Sequence, residues 1–213
     1  MRVKICGITR PDDARIALDS GADALGFVVG SPASPRNVSL AEARKLMKSI
    51  PVFTSKVAVT SAGDYKTIKR ICSTLNPDAV QLHRYTADLL QGIRENHPET
   101  ELILATGIQT PSIALISPLL SFGDAVLADT PSHNGLGGTG RTHDWKLSAK
   151  LRDRIQPRPL ILAGGLTLSN IKAAIKAVRP YAVDVSSGVE KRPGVKDHVK
   201  VREFIRRAKA APT

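Results

Sequence analysis

The chain has too few cysteines and aromatic rings for several protein classes. Its 213 residues include two cysteines, Cys6 and Cys72, one Trp, three Tyr and four Phe. Two cysteines without CxxC spacing or clustered histidines make no disulfide framework and no structural zinc site. Rings at 4% of the composition are thin for stacking single-stranded bases. No apolar run approaches the roughly 18 residues of a membrane-spanning helix. Residues 1–7 carry no leader-like stretch, so the expectation is a cytoplasmic protein with no membrane partner.

Acidic residues are scarce in one region only. Residues 1–145 hold 15 Lys/Arg against 14 Asp/Glu, whereas residues 146–213 hold 16 against 5. The net charge of +12 therefore sits almost wholly in the last third. Such an excess attracts phosphate, on a small molecule or on nucleic acid, or forms a solvated helix face.

What is present is a steady alternation. Short apolar runs at 3–8, 24–29, 56–60, 79–82, 102–105, 125–128, 160–163 and 182–185 mostly lack polar interruption. Runs of that kind suit strands covered on both faces, as in parallel sheets. Between them lie helix-period segments. Residues 10–20 follow Thr9 as N-cap, with Pro11 in the first turn and Gly21 as the stop. Residues 39–49 open with a Ser39/Glu42 capping box. Residues 64–75, 168–178 and 197–208 each carry an apolar stripe, and 86–96, 111–120 and 145–154 complete the set. Eight strand–helix pairs without a linker predict an α/β fold, a single-domain (β/α)8 barrel of the TIM type spanning 1–213. An open doubly wound sheet is the alternative, but no GxGxxG follows the first strand.

In such barrels chemistry sits where strands end. The first strand ends in Cys6, with Lys4 two residues back on the same face; a buried apolar role is the other reading of Cys6. Cys72 lies on an apolar helical stripe and reads as core. The sixth strand ends in Asp129, ahead of a long polar loop containing Gly137-Gly138-Thr139-Gly140-Arg141, suited to a lid or an anion contact. Strands seven and eight end in Gly164-Gly165 and Ser186-Ser187-Gly188, the two places where barrels bind phosphate. Arg36 follows strand two in a Pro-rich loop and could grip a carboxylate. Gln81 and His83 close strand four; His83 reads equally as catalytic group, substrate contact or packed polar side chain.

KICGIT at 4–9, GADALGFV at 21–28, SPR at 34–36, VQLH at 80–83, GGTGRTHDW at 137–145, LAGGL at 162–166 and AVDVSSGVE at 182–190 together resemble the phosphoribosylanthranilate isomerase family. The resemblance runs from residue 3 to about residue 207. It implies an enzyme of tryptophan biosynthesis that converts N-(5-phosphoribosyl)anthranilate to 1-(2-carboxyphenylamino)-1-deoxyribulose 5-phosphate by an Amadori rearrangement. The family's general base falls on Cys6, its general acid on Asp129, and its carboxylate-binding Arg on Arg36. The candidate substrate-binding set is Arg36, Gln81, His83, Gly138, Gly164, Gly165, Ser186, Ser187 and Gly188. The chemistry implies a carboxyl raised by burial and a thiol lowered by positive charge. It needs no metal and no cofactor, and its partner is a small phosphorylated aminosugar rather than nucleic acid. The expected assembly is a monomer or homodimer. Three features depart from the family: Arg84 stands where VQLHG has glycine, VAVTSAG lacks an aromatic at strand three, and the C-terminal basic excess is not a family mark. The histidine-pathway aminoaldose isomerase uses aspartates at the ends of strands one and five; here those ends hold Cys6 and Ala105-Thr106-Gly107.

Overall fold

A computed structural model describes residues 1–108, 117–130 and 142–212. Eight parallel strands close on themselves in sequence order: β1 (Arg2–Cys6), β2 (Ala24–Val28), β3 (Ser55–Thr60), β4 (Ala79–Leu82), β5 (Glu101–Gly107), β6 (Ala125–Asp129), β7 (Leu160–Leu162) and β8 (Ala182–Val185). The ring shuts where β1 pairs with β8, Val3 beside Val183 and Lys4 beside Asp184.

Helices α1 (Pro11–Asp19), α2 (Leu40–Lys48), α3 (Tyr65–Leu75), α4 (Ala87–Asn96), α5 (Trp145–Ile155), α6 (Ile171–Val178) and α7 (His198–Lys209) cover the outside. Outward strand residues such as Val3, Ile5, Leu25 and Phe27 join the helices' apolar stripes in one continuous buried cluster. A second apolar cluster fills the barrel, with Val57, Ile103, Leu127 and Ile161 among its members. This double coverage explains why the strands read as continuous apolar runs. Lys4 and Cys6 point inward into that second layer, their alternation fixed by the two-residue strand period.

Local chemistry sets the helix ends. The Ser39/Glu42 capping box forms as the sequence implies. The N-cap of α1 is Arg10, not Thr9, because the Thr9 hydroxyl is turned away to donate to the Gly194 carbonyl at 2.5 Å. Of the helix expected over 111–120, residues 111–116 lie outside the described residues, and Ser117–Phe122 form a tighter 3-10 turn. Among the described residues no helix is long and apolar enough to cross a membrane.

The bottom rim of the barrel repeats one device. Strands β2, β4 and β6 are each preceded by an aspartate, Asp23, Asp78 and Asp124. Each accepts a backbone N–H near the start of the odd strand before it: Val3 at 2.8 Å, Lys56 at 2.7 Å and Leu102 at 2.7 Å. Before β8 the same place holds Tyr181, and Arg2 stacks on its ring at 4.4 Å. The three aspartates satisfy amides at the strand starts that the ladder leaves unpaired.

One element has no counterpart in the sequence reading. Between β8 and α7 a small antiparallel hairpin forms from β9 (Glu190–Arg192) and β10 (Val195–Lys196). Asp13 at the start of α1 holds it from outside, accepting the Lys196 N–H at 3.0 Å and facing His198 Nε2 at 2.9 Å. Apart from Lys196, the basic excess of the last third lies largely on the outer faces of α5, α6 and α7.

Candidate active site

Where the strands end, the barrel opens into a hollow of about 740 Å³, open to solvent. Cys6, Arg36, Gln81, His83, Asp129, Gly164, Gly165, Ser186, Ser187 and Gly188 all line it. These residues come from six strand ends spread over most of the chain, and the fold brings them to one place. Gly138, with the rest of its glycine-rich stretch, lies outside the described residues. Arg84 is exposed and does not line the hollow. Among the described residues no Phe, Tyr or Trp lines it either; Val28 and Val59 supply its apolar wall beside β2 and β3.

The floor is polar. Lys4 Nζ donates to Gln81 Oε1 at 2.9 Å and stands 3.1 Å from Asp184 Oδ1. The second contact lacks hydrogen-bond direction, so that carboxylate oxygen is buried with a charge beside it and no hydrogen bond. Gln81 Nε2 then meets His83 Nε2 at 2.9 Å. An amide nitrogen can only donate, so His83 Nε2 accepts and the imidazole is neutral. Burial and the Lys4 charge agree, pushing His83 down to about 4. His83 is therefore a fixed polar contact at neutral pH, not a proton carrier.

The two titrating groups face different balances. Burial raises Asp129 to about 6, the Thr130 N–H at 2.7 Å pulls it down, Asp184 pushes it up and Lys4 opposes that. A raised carboxyl is what the sequence reading requires. Cys6 departs from that reading. Burial lifts its thiol above the ordinary value; Lys4 and Lys196 pull down, Asp184 pushes up, and burial wins. The expected depressed thiol is therefore not the resting state of this site: positive charge is present but does not outweigh desolvation.

Arg36 lines the hollow with one edge of its guanidinium held by Glu190, through Nε at 2.9 Å and Nη2 at 2.7 Å. Lys196 Nζ joins the same carboxylate at 2.9 Å. Burial alone would raise Glu190; Arg36 and Lys196 hold it below the ordinary carboxylate range. Gly7 makes the arrangement possible: a Cβ there would lie 2.6 Å from Arg36 Cδ. Arg36 thus lies across the end of β1, next to Cys6.

The turns after β7 and β8 abut. Gly164 and Gly165 take positive φ of 79° and 64°, and Asn170 Nδ2 ties the turn by donating to the Gly165 carbonyl at 2.9 Å. A Cβ on Gly188 would fall 1.9 Å from the Leu166 carbonyl oxygen. Small residues are thus needed for contact between the two turns, and backbone amides gathered in this way form anion concavities. At the mouth of the β6 loop, His143 Nδ1 lies 3.1 Å from Thr130 Oγ1 and its Nε2 lies 2.6 Å from Ser148 Oγ, so the two ends of that loop meet beside Asp129. Among the described residues no group of three or more His, Cys, Asp or Glu is placed to hold a metal ion.

Glu190, Lys196 and Asp184 have no part in the site as read from sequence. The AVDVSSGVE stretch contains Asp184 and Glu190 and is the signal for those two; Lys196 has none.

Known proteins are similar to this chain in sequence and fold. The family model for N-(5'phosphoribosyl)anthranilate (PRA) isomerase matches residues 3–207. N-(5'-phosphoribosyl)anthranilate isomerase of Methanothrix thermoacetophila is 44% identical over 210 residues, 98% of each chain. The solved phosphoribosyl anthranilate isomerase of Thermotoga maritima is 40% identical, with a TM-score of 0.84 over 98% of both chains. A solved phosphoribosyl anthranilate isomerase in complex with reduced 1-(o-carboxyphenylamino)-1-deoxyribulose 5-phosphate is 38% identical, with a TM-score of 0.82 over 98% of both chains. A match over nearly the whole length, on a barrel whose strand ends gather these side chains, makes the chain a member of the N-(5'-phosphoribosyl)anthranilate isomerase family.

Proposed function

We propose that this protein isomerises N-(5-phosphoribosyl)anthranilate to 1-(2-carboxyphenylamino)-1-deoxyribulose 5-phosphate, with Asp129 as general acid and Cys6 as general base. The observation that carries the reading is the shared hollow: a raised carboxyl and a thiol line one cavity, with glycine- and serine-rich turns at its β7–β8 side. The phosphate sits against those turns. The anthranilate ring rests on the apolar wall of Val28 and Val59, with Arg36 near its carboxylate.

The steps balance within one molecule. The neutral Asp129 carboxyl donates its proton to the furanose ring oxygen, the C1–O bond breaks, and the aniline nitrogen's lone pair forms a protonated imine. The Cys6 thiolate removes the proton on C2, and that electron pair neutralises the imine to give an enolamine. Protonation at C1 and loss of the O2 proton leave the ketone. A placed acid and a placed base each contribute roughly 10²–10⁴-fold. The productive pair, carboxyl with thiolate, holds as many protons as the resting pair of carboxylate with thiol. Only one proton is relocated, and the two groups titrate as a pair.

The partner is a small phosphorylated aminosugar; neither nucleic acid nor membrane enters the reaction. We place it in the cytoplasm, where Cys6 and Cys72, both free, stay reduced. The test is direct: freshly made phosphoribosylanthranilate loses its fluorescence when the purified protein is added. A rate no faster than the uncatalysed decay overturns the proposal.

A further inference from the structure

We propose that Lys4 is a positioning residue for this reaction: its buried ammonium, anchored to Gln81 and set against Asp184 on the barrel floor, is the counter-charge that lets Cys6 exist as a thiolate. The inference deepens the function proposed above and rests on Cys6 being the base.

The geometry comes first. Lys4 and Cys6 are alternate residues of β1, so both project into the barrel. They converge on one spot of the neighbouring strand. A Cβ built on Gly26 of β2 would stand 2.9 Å from Cys6 Sγ and 3.1 Å from Lys4 Cε. Glycine at 26 leaves the space that sulfur and lysine side chain share. Beside Gln81, Asp184 and His83, the layer around them holds apolar side chains, including Val28, Val57, Val59 and Ala79. In such surroundings an ammonium needs a strong reason to be present, because a buried charge is costly unless paired.

Lys4 is shared among its neighbours. Its ammonium has three N–H donors; Gln81 accepts one, and Asp184 pairs with the charge at 3.1 Å. A negative charge on Cys6 meets the same ammonium from the β1 side. The other groups around the thiol serve less well. Lys196 of β10 is bound by the Glu190 carboxylate and the Ser186 carbonyl, and Glu190 also holds Arg36. His83 at the end of β4 is neutral, Asp129 of β6 is a neutral carboxyl in the productive pair, and Asp184 of β8 opposes a thiolate. Lys4 is the strongest attractive influence on the Cys6 thiol, and Cys6 in turn helps hold the Lys4 charge.

The test reads the thiol itself rather than turnover. Iodoacetamide is reacted with the intact protein across a pH series, and modification of the Cys6 peptide is followed by mass spectrometry. Lys4→Met should move the Cys6 titration upward by at least one pH unit, which slows alkylation at pH 7.5 about tenfold. Lys4→Arg should restore most of the wild-type profile. Cys72, buried on α3, reports folding, because its reactivity rises only when the barrel opens. Lys4→Met leaves Asp184 without its cation, so the double variant Lys4→Met/Asp184→Asn removes both charges and keeps the test informative. The double variant is read against Asp184→Asn alone, since Asp184 itself opposes the thiolate. An unchanged Cys6 profile in a folded Lys4→Met against wild type, or in the folded double variant against Asp184→Asn, overturns the proposal. Full turnover in Cys6→Ala would instead overturn the assignment of the base, and the alkylation result would stand apart from it.

Discussion

Arg36 and Glu190 form a two-point ion pair across the mouth of the barrel, with N–O distances of 2.9 and 2.7 Å. They are 154 residues apart in the chain, and only the hairpin after β8 brings them together. A free arginine would spend substrate binding energy on ordering itself, whereas this one is ordered beforehand.

Glu190→Gln should therefore raise KM with little change in kcat. A charge-assisted hydrogen bond is worth about 1.5–3 kcal/mol, so the rise should be on the order of tenfold or more. Glu190→Ala should do more, because it strands Arg36 and the buried Lys196 without their anion. Removing one partner of a buried pair costs about 3–5 kcal/mol, visible in chemical denaturation. A Glu190→Ala protein with wild-type stability would show that the triad is not the anchor of this rim.

The acid and base should appear in the pH dependence of kcat/KM. Below about 6 the pair binds an extra proton, the thiolate fraction falls, and the rate drops with it. Above the raised titration of Cys6 the pair has lost a proton, no acid remains, and the rate drops again. Between the two limbs the rate should be flat. Asp129→Asn should lower the rate by about 10²–10⁴-fold and also erase the limb near 6. His83, held near 4, cannot supply that limb in its place. A limb persisting near 6 in Asp129→Asn assigns it to another group.

The same substitution should stabilise the fold. Asp129 titrates at about 6 in the native state against 3.8 for the ordinary side chain. The native state thus binds a proton that the unfolded chain has already lost, and stability falls as pH rises from about 4 to 6. Above 6 the whole penalty is present, on the order of 2–3 kcal/mol. Asparagine carries no charge and can still accept the Thr130 N–H. Asp129→Asn should therefore melt higher than the wild type at pH 7.5, with the advantage fading as pH approaches 4. Equal melting temperatures at pH 7.5 would mean that burial does not strain this carboxyl.

Much of this architecture is legible in the sequence, because its causes are local. Continuous apolar runs mark strands covered on both faces, and the capping box marks the start of α2. Cys6 and Asp129 stand out as reactive types closing such runs. What stays hidden depends on long-range pairing. Lys4 meets Gln81 across 77 residues and Asp184 across the seam that closes the barrel. Lys196 reads as one more cation in a basic tail, yet its side chain is 0% exposed. The hairpin that carries Glu190 and Lys196 is short and highly charged, so it has no strand signature. Thr9 follows the capping rule in sequence, but the Gly194 carbonyl competes for its hydroxyl. The Cys6 thiol shows the limit most clearly. Counting nearby positive charge gives its sign only when burial is known, and burial belongs to the tertiary structure.

Gly188→Ala tests the phosphate end of the site. The new Cβ would lie 1.9 Å from the Leu166 carbonyl oxygen and 3.0 Å from its carbon. Both atoms are backbone, so no side-chain rotation relieves the clash and the turns after β7 and β8 must part. Overpacking of this kind costs about 1–3 kcal/mol of stability. The larger effect should be on binding, since amides aimed at one phosphate lose their common focus when either turn moves. Substrate KM should rise at least about tenfold, and inorganic phosphate should inhibit less strongly by a similar factor. Asp129 and Cys6 stand on other strands, so their pH limbs should keep their positions. A Gly188→Ala protein that binds substrate and inorganic phosphate as tightly as the wild type would place the phosphate somewhere other than between these two turns.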